Sequence, residues 1–138
     1  MKPKYLAFAL TGLFALAVVG LSLQVSAPDA AEGLLTPAQA REMIQSGKVD
    51  LVLDVRTPEE FTSPGGHLQG AMLSPIQTLD YNLAPLAPYK NKTILVYCEA
   101  GVRSSHAARL LRDKGFTNVL DLYGGIGQWI RDGYPTVR

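Results

Sequence analysis

The chain has little of what would mark a nucleic-acid binder, a metal protein or a disulfide-stapled fold. Its 138 residues include one cysteine, Cys98, and two histidines, His67 and His106. A lone cysteine cannot close an internal disulfide, and one thiol with two imidazoles does not make a structural zinc set. The formal charge is +1, with 13 basic residues against 12 acidic ones, which leaves no electrostatic footprint for nucleic acid. No repeat and no low-complexity stretch is visible, and the length is that of a single domain.

The first residues read as targeting rather than fold. Lys2 and Lys4 precede an apolar run from Tyr5 to Val25, followed by Ser26 and Ala27 and then by the acidic Asp29 and Glu32. A basic start, an apolar middle and a small-residue exit are the marks of an export signal. Pro28 is awkward just after a cleavage point, and the run is close to the roughly 20 residues that span a bilayer. Residues 1–27 are therefore expected to be a signal peptide or an N-terminal membrane anchor. Either one places the domain, residues 33–138, outside the cytoplasm, in the periplasm, because the basic residues hold the short N-terminus inside.

The remaining residues alternate between strand and helix signals. Thr36 and Pro37 read as N-cap and first position of a helix through Ile44, closed near Gly47. Leu51-Val52-Leu53-Asp54-Val55 is a short apolar run of strand type, and Thr57-Pro58-Glu59-Glu60-Phe61 is another capped turn. Ala71-Met72-Leu73 is a second short strand, and residues 75–91, with three prolines, are loops around a short helix. Thr93-Ile94-Leu95-Val96-Tyr97 is the best strand, uniformly β-prone as a buried parallel strand should be. A helix is expected from Ser104 to Lys114, a last strand over Val119-Leu120-Asp121-Leu122, and a short helix carrying Trp129. This alternation predicts an α/β fold, a small parallel sheet flanked by helices on both faces. Such sheets bind ligands beyond the C-terminal ends of their strands, where Cys98 falls.

The run Cys98-Glu99-Ala100-Gly101-Val102-Arg103 joins strand to helix. A tight loop there turns backbone N–H groups toward one point and adds the positive end of the helix dipole, a combination that stabilises an anion. A sulfur at the start of such a loop is expected to be held as thiolate. Gly101 supplies the freedom to curl. Arg103 adds a cation whose donors reach either the ligand or the loop carbonyls. The competing reading of Cys98 is an inert buried cysteine closing a core strand.

Several separated motifs then resemble the rhodanese-like domain family. They are Val96-Tyr97-Cys98-Glu99-Ala100-Gly101-Val102-Arg103-Ser104, Gly115-Phe116, and Leu122-Tyr123-Gly124-Gly125-Ile126 with Trp129, Gly133 and Pro135. The N-terminal half adds Leu53-Asp54-Val55-Arg56, Glu59-Glu60-Phe61, Gly66-His67-Leu68 and Gly70-Ala71. The resemblance implies a sulfurtransferase of thiosulfate sulfurtransferase type, needing no cofactor. Cys98 would take a sulfane sulfur as a persulfide, with Glu99, Ala100, Gly101, Val102 and Arg103 forming the substrate-binding loop. The sulfur would leave to an external acceptor, cyanide or a thiol such as that of a thioredoxin-like protein, because the chain has no resolving cysteine of its own. The alternatives are a non-catalytic binding or redox-sensing module of the same family, and a cysteine phosphatase or arsenate reductase. The phosphatase pattern has a longer loop, whereas four residues separate Cys98 from Arg103 here. Glu99 would also repel a phosphate dianion.

Three departures from the family pattern stand out. Thr62-Ser63-Pro64-Gly65 lengthens one loop, Gln69 stands where proline is common, and acidic Glu99 lies beside the nucleophile in a loop that often carries basic residues in thiosulfate-handling members. Asp54 and Arg56 are read as structural, fixing strand-to-helix geometry and facing the loop. His67 is read as a brace and His106 as solvent-facing. Trp129 and Phe116 are expected in the core, and Glu59 and Glu60 are expected to be a solvated helix start.

Overall fold

The computed structural model describes residues 33–138, and the expected signal peptide or anchor lies outside the described residues. Among the described residues no helix is long and apolar enough to cross a membrane. Five strands form one sheet: β1 (Leu34–Leu35), β2 (Leu51–Asp54), β3 (Met72–Leu73), β4 (Thr93–Tyr97) and β5 (Asn118–Leu122). They lie in the order β1-β5-β4-β2-β3, and every pairing is parallel. The helices are α1 (Pro37–Gln45), α2 (Pro58–Phe61), α3 (Val102–Asp113) and α4 (Gly125–Arg131), with two 3₁₀ turns at Leu79–Tyr81 and Ala84–Tyr89. The expected parallel α/β architecture is the observed one.

β4 is central, and its side chains divide the core because successive residues point to opposite faces. Ile94, Val96 and Cys98 join Leu53, Leu79, Leu86 and the α3 residues Ala107, Ala108 and Leu111 on one face. Leu95 and Tyr97 join Leu35, Ala40, Leu122, Ile126 and Trp129 on the other, beneath α1 and α4. Each fully buried aliphatic side chain contributes about 2 kcal/mol of burial, so a strand apolar on both faces can sit only where helices cover both.

Local chemistry sets the helix starts. Thr36 and Thr57 each form a capping box, with Gln39 and Glu60 respectively, and each is followed by proline. α3 is different. It begins at Val102, two residues before the expected start, after Gly101 in the left-handed region at φ 104°. The last two loop residues, Val102 and Arg103, are thus the first turn of the helix. Three further differences from the sequence reading are the short β1, the two 3₁₀ turns where one short helix was expected, and a bridge between His67 and Val137.

Candidate active site

Two strand-to-helix junctions lie side by side at the C-terminal end of the sheet, because Asp54 ends β2 in register with Tyr97, which ends β4. The β2 junction is built on Arg56, only 2 % exposed. Its Nε and Nη2 donate to both carboxylate oxygens of the fully buried Asp54, at 3.1, 3.1 and 2.8 Å, and Nη2 also donates to the Gly66 carbonyl at 2.8 Å. Burial pulls the Arg56 guanidinium toward neutrality, but the hydrogen bonds and charge of Asp54 more than offset it and hold Arg56 above its ordinary value. The guanidinium also lies over the Tyr97 ring, 5.6 Å from its centroid. The Tyr97 hydroxyl, pushed up by burial and by Asp54, accepts from the Leu68 N–H at 3.1 Å.

The β4 junction carries Cys98, whose side chain is buried against the α3 face. The Gly101 N–H donates to its sulfur at 3.1 Å, the curl that the positive φ of Gly101 permits. α3 begins without a side-chain cap, so the N–H groups of its first turn are not spent on one. The Ser104 hydroxyl lies 3.5 Å from the sulfur and donates to the Gly101 carbonyl at 3.2 Å. Asp121 on β5 interacts with Ser104 and Arg112, both of which oppose the effect of its burial. Asp121 is itself buried, with Oδ1 lacking a hydrogen-bond partner, and burial raises its carboxyl above the ordinary value.

The back of the loop rests on the start of α4. The Ile126 and Gly127 N–H groups donate to the carbonyls of Cys98 and Glu99 at 2.9 and 3.0 Å. Gly125, at φ 61°, lies so close that a Cβ there would overlap the Cys98 carbonyl oxygen and the Glu99 carbonyl. The paired glycines after β5 are what let the two turns pack back to back.

Two ion pairs cross between the junctions. Arg56 reaches Glu99 at 3.4 Å, and Arg103 reaches Glu60 through two bonds of 2.8 and 2.7 Å. This corrects the reading of Glu60 as a solvated helix start: only a third of its side chain is exposed, and Arg103 holds its carboxyl down at about 2. Arg103 in turn is raised by Glu60 first, with a smaller contribution from the Cys98 sulfur. Its fork is therefore directed at a neighbouring helix, neither of the two destinations the sequence offered. Glu99, Ala100 and Val102 face outward, with Val102 81 % exposed. His67 stacks on Phe61 at 3.6 Å between centroids, and its Nδ1 lies 3.0 Å from the Phe61 carbonyl oxygen, so it braces the α2 end of the site. His106 is exposed and outside the cluster, while Trp129 and Phe116 are core.

The sequence places Cys98, the loop, Asp54 and Arg56 together, but gives Ser104 and Asp121 no role and Glu60 only that of a solvated helix start. Asp121 had a readable signal, a carboxylate inside the apolar run 119–122. Among the described residues no group of histidine, cysteine and acidic side chains is arranged to hold a metal ion.

The chain matches the model of the rhodanese-like domain over residues 36–132. It belongs to the rhodanese-like domain family. Among relatives, it is 39% identical over 67 residues to the thiosulfate sulfurtransferase PspE of Escherichia coli, covering 49% of this chain and 62% of that one. It is 31% identical over 115 residues to the probable adenylyltransferase/sulfurtransferase MoeZ of Mycobacterium tuberculosis, covering 80% of this chain but 29% of the relative. The chain thus spans less than a third of MoeZ and 55% of a similar Synechocystis protein. Among solved structures, a rhodanese-related protein of Thermoplasma volcanium superposes with TM-score 0.66 at 34% identity, over 75% of this chain and 95% of that one. A Rhodopseudomonas palustris protein described as a possible tyrosine phosphatase gives 0.67 at 31% identity, over 75% and 83%.

Proposed function

We propose that this rhodanese-like chain is a sulfurtransferase that carries sulfane sulfur on Cys98. The observation that carries this reading is the Cys98 sulfur facing the Gly101 N–H at 3.1 Å, inside a loop of only four residues before Arg103. A ring of that size suits a single added sulfur atom. The Cys98 thiolate attacks the outer sulfur of a donor such as thiosulfate. A new S–S bond forms as the donor's own breaks, and sulfite departs with the electron pair. The persulfide's terminal sulfur is then attacked by cyanide or a thiol, the Cys98 S–S bond breaks, and the thiolate is regenerated with the product thiocyanate or acceptor persulfide. This is covalent catalysis in two steps, and with no second cysteine in the chain the acceptor is external. A protein thiol of thioredoxin-like type fits that requirement.

Glu99 bears on the donor. It is 54 % exposed beside the nucleophile and only loosely tied to Arg56, so it opposes binding of a dianion. Thiosulfate is therefore a weakly bound donor. The basic and apolar N-terminus supports work outside the cytoplasm, with the N-terminus available as a membrane anchor.

The purified chain incubated with thiosulfate and cyanide tests the reading: thiocyanate should form, and Cys98→Ser should form none. Absence of sulfur transfer from thiosulfate and from polysulfide alike contradicts it. Hydrolysis of a phosphate ester by the wild-type chain, lost in Cys98→Ser, would favour phosphatase chemistry instead.

A further inference from the structure

The two ion pairs that cross the site are unequal. Arg56–Glu99 is a single contact at 3.4 Å, with Glu99 half exposed. Arg103–Glu60 is bidentate, the arrangement in which a guanidinium is held in orientation as well as by charge. We infer that Glu60 is a positioning residue for the Cys98 site: its carboxylate holds Arg103 at the rim of the loop and keeps the guanidinium from closing onto the sulfur.

Glu60 is itself fixed from behind. The Thr57 N–H donates to Glu60 Oε2 at 2.9 Å, and the Glu60 N–H donates to Thr57 Oγ1 at 3.2 Å. The carboxylate therefore cannot follow Arg103 if the guanidinium swings inward. Arg103 sits in the first turn of α3, with only four residues separating it from Cys98, so that its side chain can reach either Glu60 or the sulfur. Carboxylate and sulfur compete for one cation. Paired with Glu60, Arg103 presents a near-neutral dipole to the site; unpaired, it presents a full positive charge. Glu60 thus exchanges charge at the sulfur for a fixed loop end, and it reaches this residue from a different helix.

The other charged groups of the two junctions and of the neighbouring strand are Glu99 in the loop, the Asp54–Arg56 pair after β2 and Asp121 on β5, together with the N-terminus of α3. A double-mutant cycle holds all of them constant. Glu60→Gln is the informative change because glutamine keeps the capping box while losing the charge. The rate of Cys98 alkylation by iodoacetamide would be followed against pH in the wild-type chain, Glu60→Gln, Arg103→Gln and the double variant.

Release of Arg103 predicts that Glu60→Gln moves the alkylation midpoint to lower pH by about one unit when Arg103 is present, and by clearly less in the Arg103→Gln background. Equal shifts in both backgrounds, or none in either, overturn the inference. If the double variant does not fold, Glu60→Asp decides. It keeps the charge but shortens the side chain, so a downward shift reports a released guanidinium and a wild-type midpoint overturns the inference. The proposal rests on the reading of Cys98 as the nucleophile of a sulfurtransferase, but alkylation needs no sulfur donor. Failure of a donor to load Cys98 would sink that reading, whereas additivity in the cycle would sink only the role of Glu60.

Discussion

The junctions after β2 and after β4 start from the same geometry, adjacent parallel strands ending in register, and finish with opposite properties. After β2 the buried polar groups are paired: Asp54 and Arg56 satisfy each other in the interior, the Gly66 carbonyl takes a further donor, and α2 begins with a capping box. After β4 the sulfur receives one short N–H bond, α3 has no side-chain cap, and the loop turns through a glycine in the left-handed region. The first junction stabilises a fixed frame. The second leaves donors available to a ligand, and the pairs Arg56–Glu99 and Arg103–Glu60 fasten it to that frame. The Cys98 loop is held by its neighbours as well as by its own bonds.

The comparison is broken most severely at Arg56. Arg56→Met leaves the Asp54 carboxylate buried and unpaired, and should cost about 3 kcal/mol or more in a urea titration, far beyond a surface arginine. Gly125→Ala attacks the support of the second junction. A side chain at φ 61° that also meets the Cys98 and Glu99 carbonyls should lower stability by about 2 kcal/mol and slow sulfur transfer, both measurable on one sample.

Asp121→Asn should act in the other direction. The Asp121 carboxyl is raised in the folded chain, so folding favours its protonated form and works against the charged form at neutral pH. The asparagine variant should gain about 1 kcal/mol at pH 7, and the gain should shrink as pH falls through the raised value. Glu60 has the opposite sign and the smallest effect. Its carboxyl is lowered from 4.5 to about 2, so the stability it contributes is fully present above pH 4.5 and lost as the pH falls toward 2. Unfolding of the wild-type chain should steepen in that window, and Glu60→Gln should flatten it.

Legibility in the sequence followed the range of each interaction. α1 and α2 were readable because Thr36 and Thr57 cap them within three residues, and β4 because its apolar run needs no partner to be recognised. Cys98 and its loop were readable because strand, curl and helix follow one another directly. β1 is not: its two residues become a strand only through the bonds that the Asp121 and Tyr123 N–H groups make to the carbonyls of Gly33 and Leu35. The start of α3 was placed late because Val102 and Arg103 look like loop until Gly101 is seen to act as the cap. Glu60 reads as a solvated helix start because its capping box, which is local, accounts for its presence, while its bond to Arg103 spans 43 residues. Asp121 looks ordinary in sequence because it falls in an apolar strand, and only the fold shows that its carboxylate is buried with Oδ1 lacking a hydrogen-bond partner.

The most direct test of the central claim is the mass of the intact chain after exposure to a sulfane donor, followed by removal of excess donor and peptide mapping. One added sulfur atom on the peptide carrying Cys98, lost on addition of cyanide and absent from Cys98→Ser, is the predicted result. An unchanged mass with thiosulfate and with polysulfide would contradict it.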